Sequence, residues 1–132
     1  MSAWYQPGSA TLTAGSRLVP TTIINAVNIT DTTITSSTTV DVSNYISKSF
    51  KITLTTGVGS TISDYRVQIN CLSSDVDANY AEIVSEIYEA DGIYHWYIED
   101  AGKWIRIDVS SWGTADPVNY VTVSVTVEGS AA

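Results

Sequence analysis

Oxygen-bearing side chains between Asp75 and Glu86 follow the spacing of a calcium-binding loop. Asp75, Asp77 and Asn79 occupy alternate positions, and Glu86 follows Asp75 by eleven residues. A loop of the EF-hand type supplies carboxylate and amide oxygens to Ca²⁺ from these positions. Tyr80 stands where such a loop needs glycine for its sharp turn, and the flanking residues alternate as strands do. We therefore interpret the segment as a solvated acidic turn, with a Ca²⁺ site in a sandwich loop as the alternative, and predict no other cofactor.

The single histidine, His95, is a residue type that often acts as a general base, but the sequence around it forms no catalytic motif. It lies between aromatic residues within a predicted strand, with no serine-nucleophile elbow and no second metal ligand at helical spacing. Carboxylates such as Glu99 and Asp100 are adjacent, so nothing places two acids across a cleft as glycoside hydrolysis requires. The sequence predicts a structural histidine and a protein that is not an enzyme. An enzyme would need His95 beside a serine or an acid in a cleft.

Four tryptophans and eight tyrosines are the next candidates, because aromatic faces anchor protein interfaces and also stack on sugar rings. Trp104 alternates out of phase with Ile105 and Ile107, which places it with Arg106 on the less buried face of its strand. Trp112 lies in a loop before the last strand, and loops often carry functional residues. We predict that Trp104, Arg106 and Trp112 are interface residues.

Sugar binding is the alternative use of these aromatic side chains. Tyr94 and Trp96 share one face of a predicted strand, and with Trp112 they would form a sugar platform beside the Asp75 turn. This alternative predicts a carbohydrate-binding sandwich module, assisted by calcium, with a cell-surface glycan as its ligand. A lectin would bring two or more of these aromatics together on one exposed concave patch. An assembly protein would instead spread its exposed aromatics over subunit contacts.

The composition excludes several classes of partner. The formal net charge is −8, and the six Lys and Arg residues are scattered singly. A nucleic-acid partner is not expected, because a phosphate backbone is held by clustered cations. No segment approaches the roughly 18 consecutive apolar residues of a membrane helix. The first residues lack the basic start and apolar core of a signal peptide, so we expect synthesis in a cytoplasm without secretion.

Alternation of apolar and polar residues, typical of strands with one buried face, recurs along most of the chain, and no window holds a helical period. The clearest case is Val121 to Val127, where four valines alternate with Thr and Ser. The single cysteine, Cys71, lies on a similar apolar face and is predicted to be a small buried hydrophobe. Short strands separated by turns rich in Gly, Asp and Ser predict two packed antiparallel sheets. We predict an all-β sandwich of the jelly-roll-like or Greek-key type over residues 17–132.

Three chain reversals are predicted as hairpins between strands adjacent in sequence. Asp91-Gly92 is the strongest signal, because this pair between alternating strands favours a tight turn. Glycines near residues 57–59 and at 102 provide the other two reversals. The first predicted pair is Lys48–Thr55 with Asp64–Cys71. The other two pair Ile93–Glu99 with Glu82–Tyr88 before it and with Lys103–Val109 after it.

Residues 1–16 show little alternation but carry Trp4 and Tyr5. Two aromatics favour an extended N-terminal arm, ordered on a neighbouring subunit, over a frayed end. We predict that residues 1–16 are this arm and that Trp4 and Tyr5 are further interface residues.

Two short motifs, Ser73-Ser74-Asp75 and Trp104-Ile105-Arg106-Ile107, stand within a series of alternating strands. The segments around them are Asp41–Tyr45, Phe50–Leu54, Tyr65–Ile69, Lys103–Val109 and a Val-Thr-Val finish. In this order they resemble small β-sandwich virion proteins of tailed bacteriophages, in which one strand ends at a Ser-x-Asp turn and a later strand carries an aromatic-Ile-Arg-Val motif. The resemblance covers roughly the last two-thirds of the chain. The usual Asp-Gly-x-x-Trp after that turn is displaced here to Asp91-Gly92-Ile93-Tyr94-His95-Trp96.

The resemblance implies a function in assembly within the virion: capsid decoration, head-fibre attachment or a tail adaptor. The partners would be other virion proteins and further copies of the same chain, and by analogy the homo-oligomer would be a trimer. Outward aromatics and the arm would supply buried interface area, while Thr-rich, sparsely charged faces would supply hydrogen bonds. The mechanism would be passive.

Overall fold

The computed structural model describes residues 17–60, 62, 65–99, 101–111 and 115–130. Trp4 and Tyr5 of the predicted arm and Trp112 lie outside the described residues. The described backbone forms nine β-strands. They are β1 (Arg17–Ile29), β2 (Thr35–Ser36), β3 (Val40–Asp41), β4 (Ser47–Thr56), β5 (Val67–Ser74), β6 (Ala81–Tyr88), β7 (Gly92–Ile98), β8 (Trp104–Ser111) and β9 (Val121–Ser130).

The strands form two antiparallel sheets. Sheet A has the order β1-β9-β4-β7, and sheet B has the order β2-β8-β5-β6, with β3 also pairing with β8. The last strand, β9, lies inside sheet A between the first strand and β4. This strand order is that of a jelly roll, in which the chain passes repeatedly from one sheet to the other. The predicted all-β two-sheet sandwich is confirmed.

The three predicted hairpins are wrong. Strand β4 lies in sheet A and β5 in sheet B, β6 lies in sheet B and β7 in sheet A, and β8 is again in sheet B. Each of these reversals therefore crosses between the sheets. A tight hairpin turn at Asp91-Gly92 would need positive φ angles, and neither residue has one. Within the described residues, one true hairpin between long strands joins β5 to β6, and its turn holds Asp77 and Asn79 at φ 56° and 55°.

The hydrophobic core lies between the two sheets and is built from the alternate residues of each long strand that face inward. The four valines from Val121 to Val127 on β9 are at most 1% exposed, as their alternation predicts. The same phase buries Phe50, Ile52 and Leu54 on β4. Strands β5 and β8 close the other side of the core with Val67, Ile69, Cys71, Ile105, Ile107 and Val109.

Cys71 is predicted to be chemically inert in the folded chain. Its side chain is fully buried, and burial raises the pKa of the thiol to about 12. The thiolate is the reactive form, so both access and ionisation are suppressed near neutral pH. We expect no reaction with a chromogenic disulfide reagent at pH 8 until denaturant is added, and one equivalent of thiol afterwards. Rapid labelling of the native protein would contradict the placement of Cys71 in the core.

Candidate interaction surfaces

The outer face of sheet B carries the predicted interface residues Trp104 and Arg106. Along β8, isoleucines and valine are buried, while Trp104, Arg106 and Asp108 are half-buried on the opposite face. Arg106 donates from Nε to Asp108 Oδ1 at 2.9 Å and from Nη2 to Asp108 Oδ2 at 3.0 Å. Its guanidinium carbon also lies 5.1 Å from the centre of the Tyr80 ring. The bidentate pair and the ring fix this side chain, so a partner would meet an ordered and locally neutral surface.

The acidic turn at residues 75–80 is organised by hydrogen bonds within the chain. Ser74 Oγ accepts from the backbone N–H groups of Val76 and Ala78, each at 3.2 Å, and donates to Ala78 O at 2.5 Å. The Tyr80 hydroxyl donates to Asp77 Oδ1. Burial, followed by this contact with Asp77, raises the pKa of Tyr80. Backbone donors and a serine thus close the turn.

The calcium ligands suggested by sequence spacing do not come together. Glu86 pairs with Ile69 well along the β5–β6 ladder, whereas Asp75, Asp77 and Asn79 lie in the turn at its end. Among the described residues, no group of three or more His, Cys, Asp or Glu side chains is placed to hold a metal ion. An EF-hand loop folds back on itself, but this segment becomes a straight strand after the turn, which carries Glu86 away.

The sugar platform predicted from Tyr94, Trp96 and Trp112 is wrong with respect to Trp96. The Trp96 side chain is 8% exposed, and the centre of its ring lies 5.8 Å from the centre of the Phe50 ring. Its Nε1 donates to the Tyr88 hydroxyl at 2.7 Å. Tyr94 is half-buried, stacks on Tyr88 at 4.2 Å and donates its hydroxyl to Ala90 O at 2.6 Å. The two aromatics do share a face, as predicted, but that face is turned into the sandwich.

His95 lies on the opposite, outer face of sheet A and is exposed. Its cross-strand partner is Lys51, and the two line a cavity of about 300 Å³ together with Ser49 and Glu128. A catalytic histidine is normally oriented by a carboxylate directly hydrogen-bonded to its ring. His95 therefore shares a cavity with a serine and an acid, while the residue directly opposite it across the strands is the cation Lys51.

A larger cavity of about 580 Å³ opens at the end of the sandwich where β4 begins and β5 ends. Its lining includes Tyr45, Lys48, Asp75 and Glu99. Lys48 is only 3% exposed and donates from Nζ to Ile46 O at 3.4 Å. We did not predict this cavity from the sequence, although a signal was present. Lys48 occupies the inward phase of the strand that buries Phe50, a position where lysine is rare.

Nine large apolar side chains are exposed in the described part of the chain, outside the continuous core. Val58 and Val118 form loop tips at the end of the sandwich opposite the large cavity, where Ser60 Oγ donates to Val118 O at 2.8 Å. The others lie on the β1–β2 loop, at the cavity end, or along β6 and β7. They are Ile34, Ile46, Val76, Ile83, Ile87, Ile93 and Tyr97.

No protein-family model matches this chain, and no curated protein or solved structure matches it significantly. The described residues contain no helix long and apolar enough to cross a membrane. The fold, the buried core and the exposed apolar side chains are therefore the properties from which a function can be argued.

Proposed function

We propose that this chain is a non-enzymatic structural protein of a phage virion, which assembles on or joins capsid or tail components through protein-protein contacts. One observation carries the proposal: a domain with a continuous core still exposes nine large apolar side chains over separate loops and strands of its described part. Among them, Ile93 and Tyr97 lie on the same outer face of β7, and apolar side chains grouped on one face mark interaction sites in a way that scattered ones do not.

The distribution of these side chains supports assembly over ligand binding. They lie at both ends of the sandwich and along β6 and β7, and Trp104 adds a half-buried aromatic on the outer face of sheet B. A small-molecule site would gather such groups in one concave pocket, whereas subunit contacts use several faces. The jelly roll serves viral capsid proteins and lectins alike, so the fold is compatible with the proposal but does not decide it.

The sequence resemblance adds the virion context. The aromatic-Ile-Arg motif at Trp104–Ile107 presents Trp104 and Arg106 on the outer face of sheet B, where we infer that other virion proteins bind. The chain would then act as a capsid decoration protein, a head-fibre attachment protein or a tail adaptor, and as a homo-oligomer. Its contribution is passive: it supplies buried apolar area and hydrogen bonds at the contacts.

The arm provides the test of this proposal. We expect the double substitution Trp4→Ala and Tyr5→Ala to raise the dissociation constant of the oligomer at least tenfold, because aromatic anchors dominate interface energies. The thermal unfolding transition should remain that of the original domain, since the described strands begin at residue 17 and do not include the arm. The matched control is the double substitution Trp4→Phe and Tyr5→Phe, which keeps an aromatic ring at both positions. An oligomer unchanged by the double substitution would contradict the role of the arm.

Carbohydrate binding is a second candidate, favoured by the cavity in which Tyr45 lies with Asp75 and Glu99. An aromatic beside carboxylates is a common sugar-recognition arrangement. A glycan array would decide it: a specific signal lost on Tyr45→Ala would support this function, and a blank array would reject it. Binding should not depend on calcium, because among the described residues no three His, Cys, Asp or Glu side chains are grouped to hold a metal ion.

A further inference from the structure

The four sheet edges of the sandwich differ in how they are protected against pairing with other chains. Strand β1 is irregular, with register shifts against β9 and a bulge at Ala26, whose φ is 50° and whose N–H donates to Ser124 Oγ at 3.0 Å. The edge of sheet B formed by β2 and β3 consists of two pieces of two residues each. Strand β6 has a register shift against β5 and exposes Glu82 and Glu86. Bulges, short edges and charges are the usual ways of blocking edge-to-edge association.

Strand β7 has none of these protections. It pairs with β4 residue for residue from Gly92 opposite Leu54 to Ile98 opposite Lys48, without a register shift. Its sequence, Gly-Ile-Tyr-His-Trp-Tyr-Ile, contains no Lys, Arg, Asp, Glu or Pro and favours β-structure. Among the residues that the structure describes, no strand lies beyond it in sheet A. On the outer face, Ile93 is 58% exposed and Tyr97 is 67% exposed.

We propose that two copies of this chain pair antiparallel through β7, about a two-fold axis at His95. That register places Ile93 opposite Tyr97 of the second copy, and Tyr97 opposite Ile93. Pairs of aromatic and β-branched side chains stabilise antiparallel strands when directly opposite. The two four-stranded A sheets would join into one sheet of eight strands. We call this contact the β7 seam.

Charge favours this part of the surface for self-association. The chain carries a net charge of −8, so two copies repel each other overall, and contacts that bring carboxylates together are disfavoured. The seven residues of β7 contain no carboxylate. Asp91 and Glu99 flank the strand and would face each other at both ends of the seam, so like charges there end the pairing at these seven residues.

The β7 seam rests on the proposed function, since it names one of the contacts through which the homo-oligomer forms. It also adds a constraint. A two-fold contact of this kind is isologous and gives an even number of copies, so the trimer implied by the sequence resemblance is incompatible with it as the whole assembly.

Cross-linking at the axis tests the seam directly. In an antiparallel pair, opposing Cα atoms lie about 4.5–5.5 Å apart. His95→Cys is therefore expected to give a covalent dimer within minutes under mild oxidation or with a short bis-maleimide. Ser85→Cys, exposed in the middle of β6, is the matched control and should stay monomeric on a denaturing gel. Cys71 is buried and silent. Equal cross-linking of the two variants, or none at residue 95, would overturn the seam.

The solution mass separates failure of the seam from failure of the proposed function. Tyr97→Asp should at least halve the oligomer mass, because in both copies it adds a carboxylate beside Glu99 and near Asp91 of the second copy, where the ends of the seam are already acidic. Ile87→Asp, an equivalent change on β6, should leave the mass unchanged. An oligomer of three chains, or one insensitive to Tyr97→Asp, would overturn the seam and leave assembly standing. A monomeric wild type without a cross-link at residue 95 would overturn both.

Discussion

Replacing Trp96 with alanine is expected to lower the free energy of unfolding by about 3–5 kcal/mol, the usual cost of removing a large buried aromatic. The indole packs against Phe50, and its N–H is satisfied by the Tyr88 hydroxyl. The substitution removes apolar contacts, opens a cavity between the sheets and leaves Tyr88 without that partner. Chemical denaturation followed by far-UV circular dichroism measures the loss. The result bears on function, because a surface sugar platform would require Trp96 to be dispensable for stability.

The neighbouring residue provides the control. Tyr97 lies on the same strand but is exposed, so at a concentration below the dissociation constant of the oligomer Tyr97→Ala is expected to change the free energy of unfolding by only about 0.5 kcal/mol. If Trp96→Ala were equally mild, Trp96 would be a surface residue and the sugar platform would return as the better interpretation. A large difference between adjacent aromatics would confirm that β7 presents one face to the core and the other to partners.

Asp91→Ala is expected to destabilise the domain by about 1–3 kcal/mol, since it removes several hydrogen bonds to one charged acceptor. The Asp91 carboxylate accepts from the backbone N–H and the hydroxyl of Thr56, both at 2.9 Å, and from the Tyr65 hydroxyl at 3.0 Å. It thereby ties the β6–β7 connection to the end of β4 and to the segment preceding β5. Burial, followed by the contact with Asp91, raises the pKa of Tyr65, which keeps its donating proton.

Glu89→Ala is the matched control for this prediction, because Glu89 is an exposed acid in the same connection. Its removal changes the net charge by the same amount and should be nearly neutral. Thermal melts of the two variants at one ionic strength would separate the hydrogen-bonding effect from general charge repulsion. Equal melting temperatures would contradict the structural role of Asp91.

The faces of the strands could be predicted from the sequence, but their partners could not. Alternation is a local property, so the valines of β9 and the inward residues of β4, β5 and β8 could be assigned from the order of apolar and polar residues alone. Pairing depends on the whole chain: β9 lies between β1 and β4, far from both in sequence. The dependence of pairing on the whole chain also explains the error at Asp91-Gly92. These two residues suit a tight hairpin turn, but here they lie in a connection between the two sheets.

The candidate sites show the same division. The outward phase of Trp104 and Arg106 was predictable, but the capture of Arg106 by Asp108 and Tyr80 depends on the β5–β6 turn. The residues from Asp75 to Glu86 have the sequence spacing of a calcium loop, but their side chains do not lie together in the structure. The reason is that a hairpin places Glu86 along a strand and leaves Asp75 in the turn, whereas a calcium loop would bring both to one ion. For Tyr94 and Trp96, the shared face was correct, but only the packing of sheet B over β7 shows that it points inward.

The central claim is that this chain assembles with other copies of itself, and its mass in solution tests that claim most directly. Light scattering coupled to size exclusion would compare the full chain, 14.2 kDa per copy, with a chain lacking residues 1–15. We predict a multiple of the single-chain mass for the full protein and, after truncation, the mass of the dimer held by the β7 seam. A full-length protein that stays a monomer at every accessible concentration would contradict the claim.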